Sequence, residues 1–325
     1  MQNVATETAK PRIKKEKKKK RGFIADFKRN KALYLMMIPG IIFFIIFCYV
    51  PMVGLIMAFE NFNIMDGVFG SQFNGIENFK FLLSPSMLPD LSRAVYNTVF
   101  LNVLWIVSGT IAAVGLAVVF NEIRRSRLSK LTQSLSILPN FLSWVIIALF
   151  LDVFLNTRTG IVTNLLANVG MKLNFYQDPK VWPLVLVVLK IWQGAGYGSI
   201  IYLATITGID SQIYEAAEID GASRWTQITK ITLPILMPTV VLLTLFSIGK
   251  IFNGDFGMLY AIIGDNSTLY PTTDVIDTYV YRMMRTLNEF GLSTAVGLVQ
   301  SVVGLFMVMI ANWLAKKFAP QSAIF

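Results

Sequence analysis

Glu215-Ala216-Ala217-Glu218-Ile219-Asp220-Gly221-Ala222-Ser223-Arg224-Trp225, running on to Ile231-Thr232-Leu233-Pro234, is a polar, small-residue interruption between two strongly apolar segments. Its local chemistry predicts two short helices around a glycine. Asp210 or Ser211 can cap the first, because a short side-chain oxygen satisfies the free amides of an opening turn. Gly221 suits the bend, since a residue without a β-carbon takes positive φ freely. Arg224 to Ile231 reads as the second helix. Pro234 then opens the next apolar run, at a position where a missing N–H costs least. Ala216, Ala217, Gly221 and Ala222 leave a surface that a partner can approach closely.

Outward from this stretch the chain is dominated by apolar runs. It has 325 residues, 54% of them hydrophobic, and several segments reach the roughly 20 apolar residues needed to cross a bilayer. The reading is an all-α polytopic membrane protein. The first span is expected at Leu35–Met57, with Pro39, Gly40 and Pro51 as kinks, followed by an outer loop from Asn61 to Ser92. The second is expected at Asn97–Phe120 and the third at Leu135–Phe154. Asn156 to Lys180 lies outside, with a re-entrant helix near Ile161–Val169. The remaining spans are expected at Val181–Leu203, Ile235–Phe256 and Ala295–Leu314, with a long outer loop over Gly257–Leu292. The domain reading is a basic N-terminal tail with an interfacial helix (1–31), a transmembrane domain (32–318) and a short C-terminal tail (319–325).

The net charge of +10 does not point to nucleic acid, because of where it sits. Lys14 to Arg21 is nearly all basic and is followed by a membrane span, the usual mark of a cytoplasmic flank that also attracts anionic membrane lipid. Phe23 to Asn30 suits a short helix lying in the interface. Of the 29 basic residues, 20 fall on one side of the six-span map, among them Arg124, Arg125 and Arg127. Seven fall on the other, and Lys190 and Lys250 lie within spans. That bias places both termini and the Glu215–Gly221 stretch in the cytoplasm. The apolar stretch from Leu33 to Phe59 exceeds the h-region of a cleaved signal.

Several chemistries are disfavoured. There is no histidine and a single cysteine, Cys48, so the commonest general base is missing and no intrachain disulfide can form. No G-x-x-x-x-G-K-[ST] run occurs, so a nucleotide would have to be bound by another subunit. No paired intramembrane carboxylates or metal-ligand spacings occur, which argues against an enzyme. A secondary transporter should show inverted repeats or intramembrane acids for ion coupling, and neither is seen.

The spacing E-A-A-x3-G-x9-I-x-L-P, carried by Glu215, Ala216, Ala217, Gly221, Ile231, Leu233 and Pro234, resembles the cytoplasmic coupling loop of permease subunits in binding-protein-dependent ABC importers. The loop would here occupy residues 207–234. Leu33–Gly40, Tyr49–Gly54, Gly75–Phe79, Leu138–Trp144 and Thr273–Val280 are similar to the sugar-uptake branch, in the subgroup for polysaccharides and longer oligosaccharides. The resemblance implies a type I importer permease of six transmembrane helices. It would be paired with a second related permease, two cytoplasmic ATPase subunits that bind ATP and magnesium, and an extracytoplasmic solute-binding protein. No cofactor is expected in this chain. Glu215, Ala216, Ala217, Asp220, Gly221 and Arg224 would receive the ATPase stroke and drive alternating access. A permease for a peptide or another non-sugar solute is the nearest alternative.

Ionisable residues in a bilayer cost about 2.5–3.5 kcal/mol each on insertion scales and usually face a cavity. Lys190 and Lys250 are such residues, both in the outer half of the membrane. On regular helices Lys190, Gly194 and Tyr197 share one face, as do Ser247, Lys250 and Gly254, with Asn253 beside them. Trp192 points elsewhere unless Gly194, Gly196 and Gly198 distort the helix. Resemblance to the maltose importers implies sugar contacts at Lys190, Trp192, Gly194 and Tyr197, then Ser247, Lys250, Asn253 and Gly254, although Gly254–Gly257 departs from the maltose pattern. Two lysines would also attract carboxylates, which favours an acidic oligosaccharide such as one bearing uronate or sialate. The competing reading is that Lys250 snorkels outward and Lys190 pairs with Asp255 or with the sister subunit.

Overall fold

The computed structural model describes residues 29–123, 128–171 and 173–318. The basic run Lys14–Arg21, most of the expected interfacial helix, Arg124, Arg125, Arg127 and the tail 319–325 lie outside the described residues. The described chain is helical nearly throughout. Among the described residues an antiparallel pair of two-residue strands, β1 (Glu60–Asn61) with β2 (Gln72–Phe73), lies in the expected outer loop.

The residues fall into two units, one ending at Val53 and the other beginning at Gly54. The first holds α1 (Lys31–Phe44), which runs through Pro39 and continues in a π turn, Ile45–Tyr49. The irregularity expected at Pro51 takes the form of a change in helix type, because a 3-10 stretch covers Val50–Phe59. Together these make an apolar span over Lys31–Phe59.

In the second unit α2 (Leu88–Glu122) is 35 residues long, about 50 Å, and begins well before the expected Asn97. The third span is not one straight helix. α3 (Leu128–Ile137) and α4 (Trp144–Leu155) meet at a bend of 98°. Pro139 lies in the 3-10 turn between them, and the Ser143 hydroxyl caps α4 by accepting from the Ile146 N–H at 3.4 Å. A proline that cannot donate, followed by a capping serine, ends one helix and starts the next. A helix, α5 (Ile161–Asn168), stands where a re-entrant one was expected.

α6 (Trp182–Thr207) stays helical despite its three glycines. Gly196 among them permits a close approach. A Cβ on Gly196 would lie 1.9 Å from the Ser136 carbonyl oxygen at the end of α3. After α7 (Ser211–Ile219), α8 runs without a break from Arg224 to Ile248, so the second short helix and the fifth span are one element. A π turn at Ile228–Thr232 joins them. Pro234 has no N–H to give the carbonyl of Lys230, and a wider turn is a common accommodation of such a gap.

The fifth span stops at Ile248, with Gly249 at its C-cap, and not at Phe256 as expected. The segment expected as a long outer loop is itself folded. It contains α9 (Phe256–Ile263) and α10 (Ile276–Thr286), and then leads into α11 (Phe290–Phe318). The apolar side chains Met258, Leu259, Ile262 and Ile263 of α9 pack with Leu101, Trp182 and Leu186 in the largest buried cluster. Trp182 is fully buried there, its indole N–H donating to the Phe175 carbonyl at 2.6 Å. Among the described residues five helices are long and apolar enough to cross a membrane, or six if the bent α3–α4 pair is one span.

Candidate substrate cleft and coupling surface

The quoted stretch folds as a cap–helix–glycine–helix unit. Asp210 accepts from the Gln212 N–H at 3.0 Å and opens α7. At its other end the Gly221 N–H donates to the Glu218 carbonyl and the Ala222 N–H to the Ala217 carbonyl. These two bonds and a φ of +79° at Gly221 make a Schellman ending, in which the left-handed residue is nearly always glycine. Ser223 then caps α8 by accepting from the Thr226 N–H at 3.2 Å. The Tyr214 hydroxyl lies 2.8 Å from that of Thr232 and ties α7 to the π turn.

Glu215 and Arg224 line a groove of about 570 Å³ between this unit and the α2 terminus at Asn121 and Glu122. Arg224 also meets Glu218 at 3.0 Å. Ala216 and Asp220 are exposed and Ala217 is half-buried. Ile219 and Trp225 stand 87% and 74% exposed on either side of Gly221, an apolar pair that sequence reasoning passed over. The unit is thus rigid in its backbone and open at its tip.

The second site is a cleft of about 710 Å³ between α2, α6, the end of α8 and the segment that follows it. It brings together Lys190, Gly194, Ser247, Lys250, Asn253 and Gly254. Trp192 and Tyr197 are not among its lining residues; they lie about half exposed on the outer surface of α6. The helical spacing expected for Ser247, Lys250 and Gly254 does not apply, because α8 ends at Ile248. Irregular backbone carries the last two into the cleft.

Long-range bonds hold that irregular backbone. The Asn102 amide donates to the Asn253 carbonyl at 3.1 Å, and the Gln300 amide to the Phe252 carbonyl at 2.7 Å. The Gly254 N–H donates to Asp277 Oδ2 at 2.5 Å. A Cβ on Gly254 would sit 2.5 Å from Val275 Cγ2, so glycine is required by contact. Burial pushes the Asp277 carboxyl up, against the Gly254 N–H and the Gln300 amide, which favour its charged form.

Lys190 donates to Asp255 Oδ2 at 2.5 Å, one of the two pairings considered for it from the sequence. Its ammonium also lies 5.4 Å from the Trp105 ring and 5.5 Å from the Trp144 ring, within reach of both quadrupoles. Trp105 and Asn102 line the cleft from α2 and had no place in the sequence reading. An amide three residues before an indole in an otherwise apolar span was the available signal.

Residues 106–320 match the family described as "Binding-protein-dependent transport system inner membrane component". Protein LplB of Bacillus subtilis (strain 168) is 36% identical over 91% of this chain and 92% of its own length. The polygalacturonan/rhamnogalacturonan transport system permease protein YteP of the same organism is 36% identical over 95% of this chain and 94% of its own. A chain in the crystal structure of a bacterial ABC transporter involved in the import of the acidic polysaccharide alginate superposes with a TM-score of 0.81 at 35% identity, covering 91% of this chain and 99% of that one. With both the family match and whole-length relatives in hand, the chain belongs to the binding-protein-dependent transport system inner membrane components, as a multi-pass membrane protein with the type I ABC importer permease fold.

Proposed function

We propose that this chain is the permease subunit through which an ATP-driven importer moves an oligosaccharide, one bearing carboxylates, into the cytoplasm by alternating access. The observation that carries the reading is the cleft itself, where Lys190 and Lys250 line one space with Trp105, between α2, α6 and α8. Aromatic faces suit sugar rings, and ammonium groups suit uronate carboxylates. Two of the similar proteins are named for acidic polysaccharides, polygalacturonan and rhamnogalacturonan in one case and alginate in the other. A related solved complex holds an alginate pentasaccharide-bound periplasmic protein, which supports an extracytoplasmic solute-binding protein as a partner here.

On this reading the chain is a transport subunit and not an enzyme. ATP and magnesium are bound by two cytoplasmic ATPase subunits, and a second related permease completes the pathway in the plasma membrane. Both termini and α7 face the cytoplasm. Glu215, Ala216, Ala217, Asp220, Gly221 and Arg224 take the ATPase stroke, and the stiff Schellman ending passes it to α8. The spans around the cleft then switch between outward-facing and inward-facing. Trp192 and Tyr197, outside the cleft of this chain, serve the pathway only from the face turned toward the second permease.

The test is uptake into proteoliposomes by the complete complex with its solute-binding protein, using tetragalacturonate and neutral galactotetraose. Replacing both lysines (Lys190→Gln with Lys250→Gln) is expected to lower tetragalacturonate uptake by tenfold or more, roughly one charge-assisted bond, and galactotetraose uptake far less. Equal loss of both sugars removes the charge argument. Uptake of neither by the unaltered complex removes the oligosaccharide reading.

A further inference from the structure

The two lysines of the cleft are not equivalent. Lys250 is exposed and has no ion pair among the described residues. Lys190 is two-thirds buried and spends its charge on Asp255. The Asp255 carboxylate is divided between two tasks. Oδ2 takes the Lys190 ammonium at 2.5 Å, while Oδ1 accepts from the Met258 N–H at 3.0 Å and caps α9. Beside them Trp105 is only 7% exposed, yet its indole N–H has no acceptor in the described structure. A buried tryptophan N–H ordinarily finds one. The cleft therefore holds a cation already satisfied by an internal anion, next to a donor that is not satisfied at all.

From this arrangement we infer that Asp255 is a built-in competitor for the substrate: its Oδ2 occupies Lys190 in the empty cleft, and a carboxylate of the incoming sugar takes its place. The inference rests on the anionic-oligosaccharide reading above and adds a specificity-setting residue to it. In the empty cleft the pair leaves no unbalanced charge at Lys190, which matters in a membrane interior. During exchange, Oδ1 keeps its bond to the α9 terminus, so Asp255 can release Lys190 without unravelling that helix. Competition also limits how tightly an acidic sugar is held, and a transport site must bind well enough to load but weakly enough to unload. A neutral sugar leaves the pair intact and feels little of this.

Asp255→Asn tests the point cleanly, because asparagine caps a helix as well as aspartate does while removing the negative charge. Asp255→Ser is a second such variant. Binding of tetragalacturonate and of galactotetraose is measured by calorimetry on the complete permease–ATPase complex in nanodiscs, without the solute-binding protein. The expected result is that both variants shift the ratio of the two dissociation constants toward the acidic sugar by about tenfold, the worth of one charge-assisted bond. A ratio that does not move, or that moves toward the neutral sugar, overturns the competitor role while leaving oligosaccharide binding in place. If neither sugar binds to the unaltered complex or to either variant, the oligosaccharide reading falls, and the inference with it.

Discussion

The two ends of the second unit are built on opposite principles. At one end, α7 and the start of α8 are shaped by neighbours in sequence. Asp210 caps over two residues, the bonds of the Gly221 turn span three and five, and Ser223 caps over three. At the other end a buried polar network joins residues far apart in the chain. Asp274 is fully buried and takes both Arg282 guanidinium nitrogens, at 3.1 and 2.6 Å, together with the Thr278 hydroxyl at 2.9 Å. The Asn97 amide of α2 donates to the Asp274 carbonyl at 3.0 Å across 177 residues of sequence. The Arg282 guanidinium also lies 4.2 Å from the Tyr270 ring. The first end is an exposed tip, the surface proposed above to take the ATPase stroke, and the second is a buried cap that ties α2 to the segment before α10.

The contrast can be broken most strongly at the buried end. Arg282→Met should leave the Asp274 carboxylate buried without its partner and cost about 3–5 kcal/mol, as the breaking of buried ion pairs does. A large drop in the melting temperature of the purified complex is the expected sign. Melting at the original temperature would mean that the cap is not what holds this end together.

At the exposed tip the effect should fall on transport more than on stability. Gly221→Val forces a β-branched residue into left-handed backbone at about 1–2 kcal/mol, although nothing lies within 4 Å of a Cβ there. ATP-driven uptake should fall sharply while docking of the loaded solute-binding protein persists. Gly221→Asn, which tolerates the same φ, should retain most uptake. If valine and asparagine behave alike, the turn geometry is not what transmits the stroke.

The smallest effect is expected for Glu218→Gln. It removes an ion pair to Arg224 whose side chains are 50% and 69% exposed, worth about 1 kcal/mol or less. A change in stability larger than that would show the tip to be more tightly organised than its exposure implies. Thermal unfolding of the variant beside the parent complex measures it.

The same division governs what could be read in advance. The cap at Asp210, the left-handed Gly221 and the small-residue tip were legible because a helix end is decided within a few residues. So were the apolar spans, since hydrocarbon selects for length and composition alone. Ser247, Lys250 and Gly254 were brought to the cleft for a different reason from the one the sequence suggested. Helical spacing was assumed through to Phe256, whereas α8 ends at Ile248 and bonds from Asn102, Gln300 and Asp277 set the path beyond it. The bend at Pro139 and the folding of α9 into the core were likewise invisible to a reading by hydropathy.

From residue order alone came the membrane-spanning class and the helix–glycine–helix unit at Glu215–Arg224, because each follows from short-range rules of solvation and backbone geometry. Tertiary structure alone decided that Lys190 faces Asp255 between two indoles, that Trp192 and Tyr197 turn away from the cleft, and that Asp274 is a structural keystone. These outcomes depend on which distant backbone reaches a buried charge first, and in a low-dielectric interior every such charge must find a partner wherever the fold brings one near.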